Sequence, residues 1–450
     1  MRTHWFFSFL FFSVLAEGLL FLPPAGQAMT MQECVALALK NNPEQQRQQL
    51  DITLAEREIK QQKASNFGRL DLVSGYTHYN TSRTLTPMTP SLMTGDPDSV
   101  PTTRDLLTGA VVYEVPLFTG FAQTRAVEIA HLRKEMASAA TRLSREQLIY
   151  NVKTLYVNIL SLRAQAKAQD EYVASLERLH EDVATKLSLG RLAKIDLLKA
   201  DADLQNGRAV AGQIRSNLAI MRSGLAALLA VDTLGELDDI PISATTMQTA
   251  ATDIADTADL QQLNRIRKEE LNIEKSKKSI DKAKSVYYPQ LAANASYGQN
   301  FGPNDDSHSN SGDWQNREVW QAGLSLKWNI FDFGSTRAAI QKARLAERQA
   351  RLTRLQTELD LKKNLREAVA RINTAIADYR SARAEAAMTR ETEVIEQIRF
   401  DQGAADIVDL LTTKARNRMA QSRVIDSGYT YLSNRYYLDY LLEQGGEDVQ

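Results

Sequence analysis

Val115-Pro116-Leu117-Phe118-Thr119-Gly120 and, far downstream, Trp328-Asn329-Ile330-Phe331-Asp332-Phe333-Gly334 decide how the rest of the chain is read. In each, an alternating apolar and polar segment runs into an aromatic residue and a Gly-containing bend. A basic residue, Arg125 or Arg337, then opens a long tract of helical periodicity. Each stretch therefore reads as a hinge between a strand and a helix. Phe118 and Phe331 lie 213 positions apart, as do Gly190 and Gly403, and Asp196 and Asp409. Separate landmarks that keep one spacing are not expected from a low-complexity helical background, so the chain reads as an internal duplication.

Upstream of each hinge lie two strands. Around residues 69–80, Leu70, Leu72 and Tyr76 alternate with Asp71, Gly75 and Thr77, and around 106–118 Leu107, Val111, Tyr113, Val115 and Leu117 share a face. In the second half Leu291, Ala293, Ala295, Tyr297 and Phe301 share one face, and Trp320, Ala322, Leu324, Leu326, Trp328 and Ile330 another, with a Trp near each end. The segments between, 81–105 and 302–318, read as exposed polar loops.

Downstream of each hinge the pattern is helical. Residues 121–188 contain neither Pro nor Gly, and Leu148, Val152, Leu155, Ile159 and Leu162 recur at spacings of four and three, a coiled-coil seam. At 1.5 Å per residue such a helix is roughly 100 Å long, beyond any ordinary globular core. Helix resumes after Gly190 over 192–230, and further helical tracts cover 258–287, 334–401, 406–443 and the N-terminal 30–67, the last punctuated by Asn41-Asn42-Pro43. Each half thus has one long helix matched by two shorter ones end to end. The domain plan is a first repeat over 29–230, an irregular linker over 231–257 and a second repeat over 258–450.

Arg2 and His4, an apolar run from Trp5 to Leu22 and the small-residue exit Ala25-Gly26-Gln27-Ala28 read as a signal peptide, residues 1–28. A single Cys34, in the helical Glu33-Cys34-Val35-Ala36-Leu37, excludes an internal disulfide framework and reads as a buried core residue. With 54 basic and 55 acidic side chains the formal net charge is −1, which argues against nucleic acid as a partner. No phosphate loop, nucleophile elbow or zinc motif occurs, and the five His share no ligand spacing. Neither an enzyme nor a bound cofactor or metal is expected. Asp305, Asp306 and Asp313 lack calcium-loop spacing and read as a solvated loop.

Four strands, each with an apolar and a polar face, are long enough to cross an outer membrane when tilted. Four cannot close, and open edges are not tolerated in lipid, so other copies must complete the barrel: two to give eight strands or three to give twelve. The alternative is a periplasmic coiled-coil structural or tethering protein with a small β-cap.

Ala36-Leu37-Ala38-Leu39-Lys40-Asn41-Asn42-Pro43-Glu44, Pro116-Leu117-Phe118, Tyr288-Pro289-Gln290-Leu291 and the paired Gly-(five residues)-Asp-Leu-Leu turns together resemble the TolC family of outer-membrane efflux ducts. The resemblance covers essentially the whole mature chain. It implies an α+β membrane protein: a homotrimer with a twelve-stranded barrel in outer-membrane lipid and a long α-helical coiled-coil barrel in the periplasm. Such a duct serves tripartite efflux or type I secretion, with a periplasmic adaptor protein and an inner-membrane pump as partners.

The same resemblance assigns Asp196 and Asp409 to acidic rings at the pore aperture. The residue types alone also fit helix capping, and Ala405 and Thr412 depart from the family's gate pattern. Gly190, Leu192, Ile195, Gly403 and Ile407 match tips that meet the adaptor. Pro116, Phe118, Gly120, Phe331 and Gly334 form the strand-helix hinges, and Trp320 and Trp328 are candidates for an aromatic girdle.

Overall fold

The computed structural model describes residues 28–95, 100–243, 247–250, 259–305 and 312–446. The expected signal peptide therefore lies outside the described residues, except Ala28. In chain order the elements are α1 (Met31–Asn41), α2 (Pro43–Ala64), β1 (Arg69–Thr84), α3 (Pro90–Thr94), β2 (Thr102–Phe118), α4 (Ala122–Ser188) and α5 (Lys194–Leu229). Then follow α6 (Asn264–Lys284), β3 (Gln290–Pro303), β4 (Trp314–Lys327), α7 (Ser335–Asp401) and α8 (Ile407–Leu441). Contacts divide them into two compact units. One comprises residues 1–46, 144–258 and 361–450, the other residues 47–143 and 259–360.

The second unit holds the β-sheet, a four-stranded antiparallel meander in the order β1-β2-β3-β4. Its register lines up the faces read from the sequence. Leu72, Val111, Tyr297 and Trp320 form one continuous row across the sheet, and Leu70, Tyr113, Ala295 and Ala322 the next. On the opposite face Asp71 is followed by Val112, Ser296 and Gln321, and Arg69 by Glu114, Asn294 and Gly323. Because side chains alternate with period two, one register places every apolar set together. β1 and β4 are paired on one side only, within the described residues.

Several strand boundaries differ from the sequence reading, both ends of β4 among them. β4 ends at Lys327, so Trp328 and Ile330 lie beyond the strand. The reason is local: β3 begins at Gln290, just after Pro289 and a turn of 3₁₀ helix, and Gln290 is already paired with Lys327, leaving later residues without a strand partner. At the other end β4 starts at Trp314, earlier than expected. The 81–105 segment also is less loop-like than its composition implies, since β1 runs to Thr84. Leu85 is fully buried, and its carbonyl accepts from Asn300 Nδ2 at 2.7 Å.

In the first unit the core gathers Cys34, Val35 and Ala38 of α1, Ile149, Val152, Tyr156 and Leu160 of α4, Leu225 and Leu229 of α5, and Leu237. The buried stripe on α4 is broader than a two-strand seam, because several elements cover it at once. Tyr156 closes this core: its hydroxyl lies 2.9 Å from the Met29 carbonyl and 2.7 Å from that of Asp238. The expected linker 231–257 is in part packed. Leu237, Met247 and Ala250 are buried, and Met29 and Leu237 form a parallel bridge.

Bounds and torsions recur at the spacing of the sequence landmarks. α4 and α7 begin and end 213 positions apart, at Ala122 and Ser335 and at Ser188 and Asp401. Four positive-φ residues, Gly120, Phe121, Gly190 and Ala230, are matched 213 positions on by Phe333, Gly334, Gly403 and Glu443, while Gly68 and Gly312 have no such counterpart among the described residues. At the hinges the glycine and the phenylalanine exchange places.

Candidate functional sites at the helix turns and strand-to-helix hinges

Both helix-to-helix turns belong to the first unit and are built alike. After α4, Gly190 N–H donates to Leu187 O at 2.9 Å and Arg191 N–H to Lys186 O at 2.9 Å. After α7, Gly403 N–H donates to Phe400 O at 3.1 Å and Ala404 N–H to Arg399 O at 2.8 Å. This double return satisfies the last carbonyls of the long helix and requires a left-handed residue, here φ 71° at Gly190 and 74° at Gly403. A Cβ at either glycine would meet nothing within 4 Å. Backbone torsion rather than lack of space therefore selects glycine.

Asp196 and Asp409 occupy the third position of α5 and α8. Asp196 Oδ2 accepts from the Ala193 N–H at 3.2 Å and its other oxygen is 3.8 Å from Lys199 Nζ. It reaches back to the helix start as half of a capping box. Asp409 is exposed, and the cap of α8 is supplied instead by Asp406, whose Oδ1 accepts from Val408 N–H at 3.2 Å. The two aspartates thus occupy corresponding positions with different local bonding.

Of the tip residues, Ile195 is exposed whereas Ile407 is buried in a cluster with Leu176, Val183, Phe400 and Leu410, and Leu192 packs against that cluster. Large apolar side chains offered to solvent at the two turns include Leu189, Ile195, Leu198 and Val408. Lys186 links the turns, its ammonium 3.4 Å from Asp401 Oδ1 and 4.3 Å from the Phe400 ring centre. Behind the turns lies a polar cluster that the sequence reading missed. Lys414 Nζ donates to Ser175 Oγ at 2.9 Å and to Glu393 Oε1 at 3.1 Å, and Asn417 Nδ2 donates to the same carboxylate. Its members come from α4, α7 and α8, so no spacing within one helix announces it.

The hinges belong to the second unit. The ladder between β2 and β3 slips by one residue between Pro116 and Phe118, as expected where proline cannot donate. Thr119 Oγ1 then accepts from Gln123 N–H at 3.3 Å, beginning α4. At the second hinge Asp332, 213 positions on, takes the same place: it accepts from Gly334 N–H at 3.1 Å, from Thr336 N–H at 2.8 Å and from the Thr336 hydroxyl. Those bonds hold its carboxyl below the ordinary aspartate range. The 213-residue spacing carries this pair, although neither Thr119 nor Asp332 is among the hinge residues expected from the sequence. Gly120 is doubly constrained, since φ is 61° and a Cβ would come 2.3 Å from Ser285 O. Phe118, Phe121 and Tyr288 contact edge-on at 5.3 and 5.9 Å, and Phe331 meets Phe333 at 4.7 Å.

Trp320 is exposed on the apolar face of β4. Trp328, past the strand, donates its indole N–H to Tyr287 O at 3.1 Å, and Trp314 stands exposed at the other end of β4. Among the described residues no cluster of His, Cys, Asp and Glu is suited to a metal, and no helix is long and apolar enough to cross a membrane.

A family model described as outer membrane efflux protein matches residues 34–231 and 259–442. The gap between the matches falls on the expected linker after α5. Nodulation protein T of Rhizobium leguminosarum bv. trifolii is 22% identical over 308 residues, 66% of this chain; the chain spans 63% of that relative's length. Among solved structures, a membrane protein from Pseudomonas aeruginosa is similar with a TM-score of 0.76 at 16% identity, over 92% of this chain and 93% of that one. The Campylobacter jejuni CmeC outer membrane channel has a TM-score of 0.73 at 17% identity, over 92% and 86%. The outer membrane protein VceC from Vibrio cholerae has 0.73 at 15%, over 92% and 96%. At these identities the likeness is one of fold.

Proposed function

The chain belongs to the outer membrane efflux protein family, and from that premise we propose that three copies form a passive exit duct through the outer membrane. The observation that carries this reading is the sheet register: the apolar rows Leu70-Tyr113-Ala295-Ala322 and Leu72-Val111-Tyr297-Trp320 cross all four strands on one face, the opposite rows that begin at Arg69 and Asp71 are mostly polar, and among the described residues both edge strands have an unpaired side. An apolar face turned to lipid and a polar face turned to a lumen account for both rows. Closure without a lipid-exposed edge then requires β1 of one copy to pair with β4 of the next, giving twelve strands. The duct performs no chemistry. An inner-membrane pump supplies the drive, and a periplasmic adaptor meets the helix turns through Leu189, Ile195, Leu198 and Val408, with Gly190 and Gly403 shaping the contact. The assembly serves efflux or type I secretion.

Under three-fold symmetry Asp196 and Asp409 each become a ring of carboxylates at the aperture, favouring cations and resisting anions. Asp409, exposed and free of capping duty, carries the larger share; Asp196 divides its role with the helix start. Planar-bilayer recordings of the purified chain test the duct: stable ion conductance is expected, and a chain that inserts nothing and conducts nothing is the periplasmic tether instead. Asp409→Ala should weaken block by divalent cations more than Asp196→Ala. Equal, unaltered block in both variants would leave the aspartates as helix-start residues only.

A further inference from the structure

Where β4 gives way to α7, the end of α6 and the first turns of α7 enclose a cleft of about 340 Å³ lined by Lys284, Tyr287, Tyr288, Arg337 and Arg344. Its walls are held in place. Tyr288 stands edge-on to Phe121 at 5.9 Å, Tyr287 O accepts from the Trp328 indole at 3.1 Å, and Ile340 is buried beneath. Arg337 and Arg344 share one face of α7, two turns and about 10 Å apart. The positive charge is poorly compensated. Asp281 lies 3.3 Å from Lys284, while neither arginine forms an ion pair among the described residues. Farther along the same helix Arg351 and Arg354 are paired, with Glu347, Glu270 and Glu358.

The segment leading into α7 presents Trp328, Ile330, Phe331 and Phe333 to solvent, Phe333 with 92% of its surface exposed. Aromatic and aliphatic side chains followed by cations about one and three turns on are complementary to an amphiphile whose charged group is a phosphate. We propose that this cleft binds the phosphate headgroup of an anionic glycerophospholipid of the periplasmic leaflet, its acyl chains lying against the aromatic segment. The inference rests on the reading that the sheet crosses the outer membrane.

The test reconstitutes the full chain in phosphatidylcholine vesicles containing phosphatidylglycerol, extracts it in detergent and measures retained lipid by native mass spectrometry. Phosphatidylglycerol should be retained in preference to phosphatidylcholine. In Arg337→Gln/Arg344→Gln that preference should fall on the order of thirtyfold at low ionic strength, and in Arg337→Lys/Arg344→Lys it should persist. Conductance should be unchanged in both variants, showing that they fold and insert. A Gln variant that retains phosphatidylglycerol like the parent overturns the site, and inorganic phosphate that competes as well as the lipid overturns the lipid assignment. A parent chain that conducts without lipid preference sinks this proposal alone; one that never inserts sinks the membrane reading with it.

Discussion

Cys34 has no exposed surface, and burial pushes its thiol up to about 12. Since the thiolate is the reactive species, native Cys34 should resist maleimide and label only as the surrounding core opens. A labelling rate equal in folded and denatured chain would contradict the packing described for α1. Glu146 is buried too, with Oε2 unpartnered among the described residues, and burial raises its carboxyl above the ordinary glutamate range. The folded chain therefore holds this proton to higher pH than the unfolded chain does. The associated stability is complete below the ordinary glutamate value and is lost as pH rises through the raised folded value. Glu146→Gln should flatten that decline, seen as a smaller fall in Tm between about pH 4 and pH 8; an identical fall in both proteins would show that Glu146 does not cause it. The Cys34 environment was legible beforehand, because an apolar helical neighbourhood announces a core position. Glu146 was not, since its burial against Gly445 joins parts of the chain almost three hundred residues apart.

Elements were legible to within a few residues where local chemistry punctuates the chain. Gly190 and Gly403 end the long helices because each adopts a left-handed torsion. An alanine there costs about 1–2 kcal/mol. Gly190→Ala should accordingly raise tryptic cleavage at Arg191 roughly fivefold or more through local opening, while Gly190→Asn, which tolerates that torsion, should change it less. Unaltered cleavage in the alanine variant would remove the torsional argument. The fourth strand shows where local reading fails. Alternation continues through Trp328 and Ile330 in sequence, but a strand extends only as far as its neighbour, and β3 starts at Gln290. Likewise Ile407 resembles an exposed tip residue by position and is buried by contacts with Leu176 and Phe400 that no motif encodes. The polar cluster around Lys414 was hidden for the same reason. Glu393→Gln should destabilise the chain, because it leaves a largely buried ammonium facing a neutral group. Urea unfolding measures that loss, and no change in midpoint would mean that solvent compensates Lys414.

For the whole molecule, strand faces, helix lengths and the 213-residue spacing were all present in the sequence, and backbone torsions repeat at that same spacing. Among the described residues of one chain the sheet does not close, since β1 and β4 are each paired on one side only. The account therefore stands on the copy number. The most direct measurement is the intact mass of the detergent-solubilised full-length assembly by native mass spectrometry. Three times the mature chain mass is the predicted result, giving twelve strands; a single-chain mass, or a two-chain mass giving eight, would contradict it.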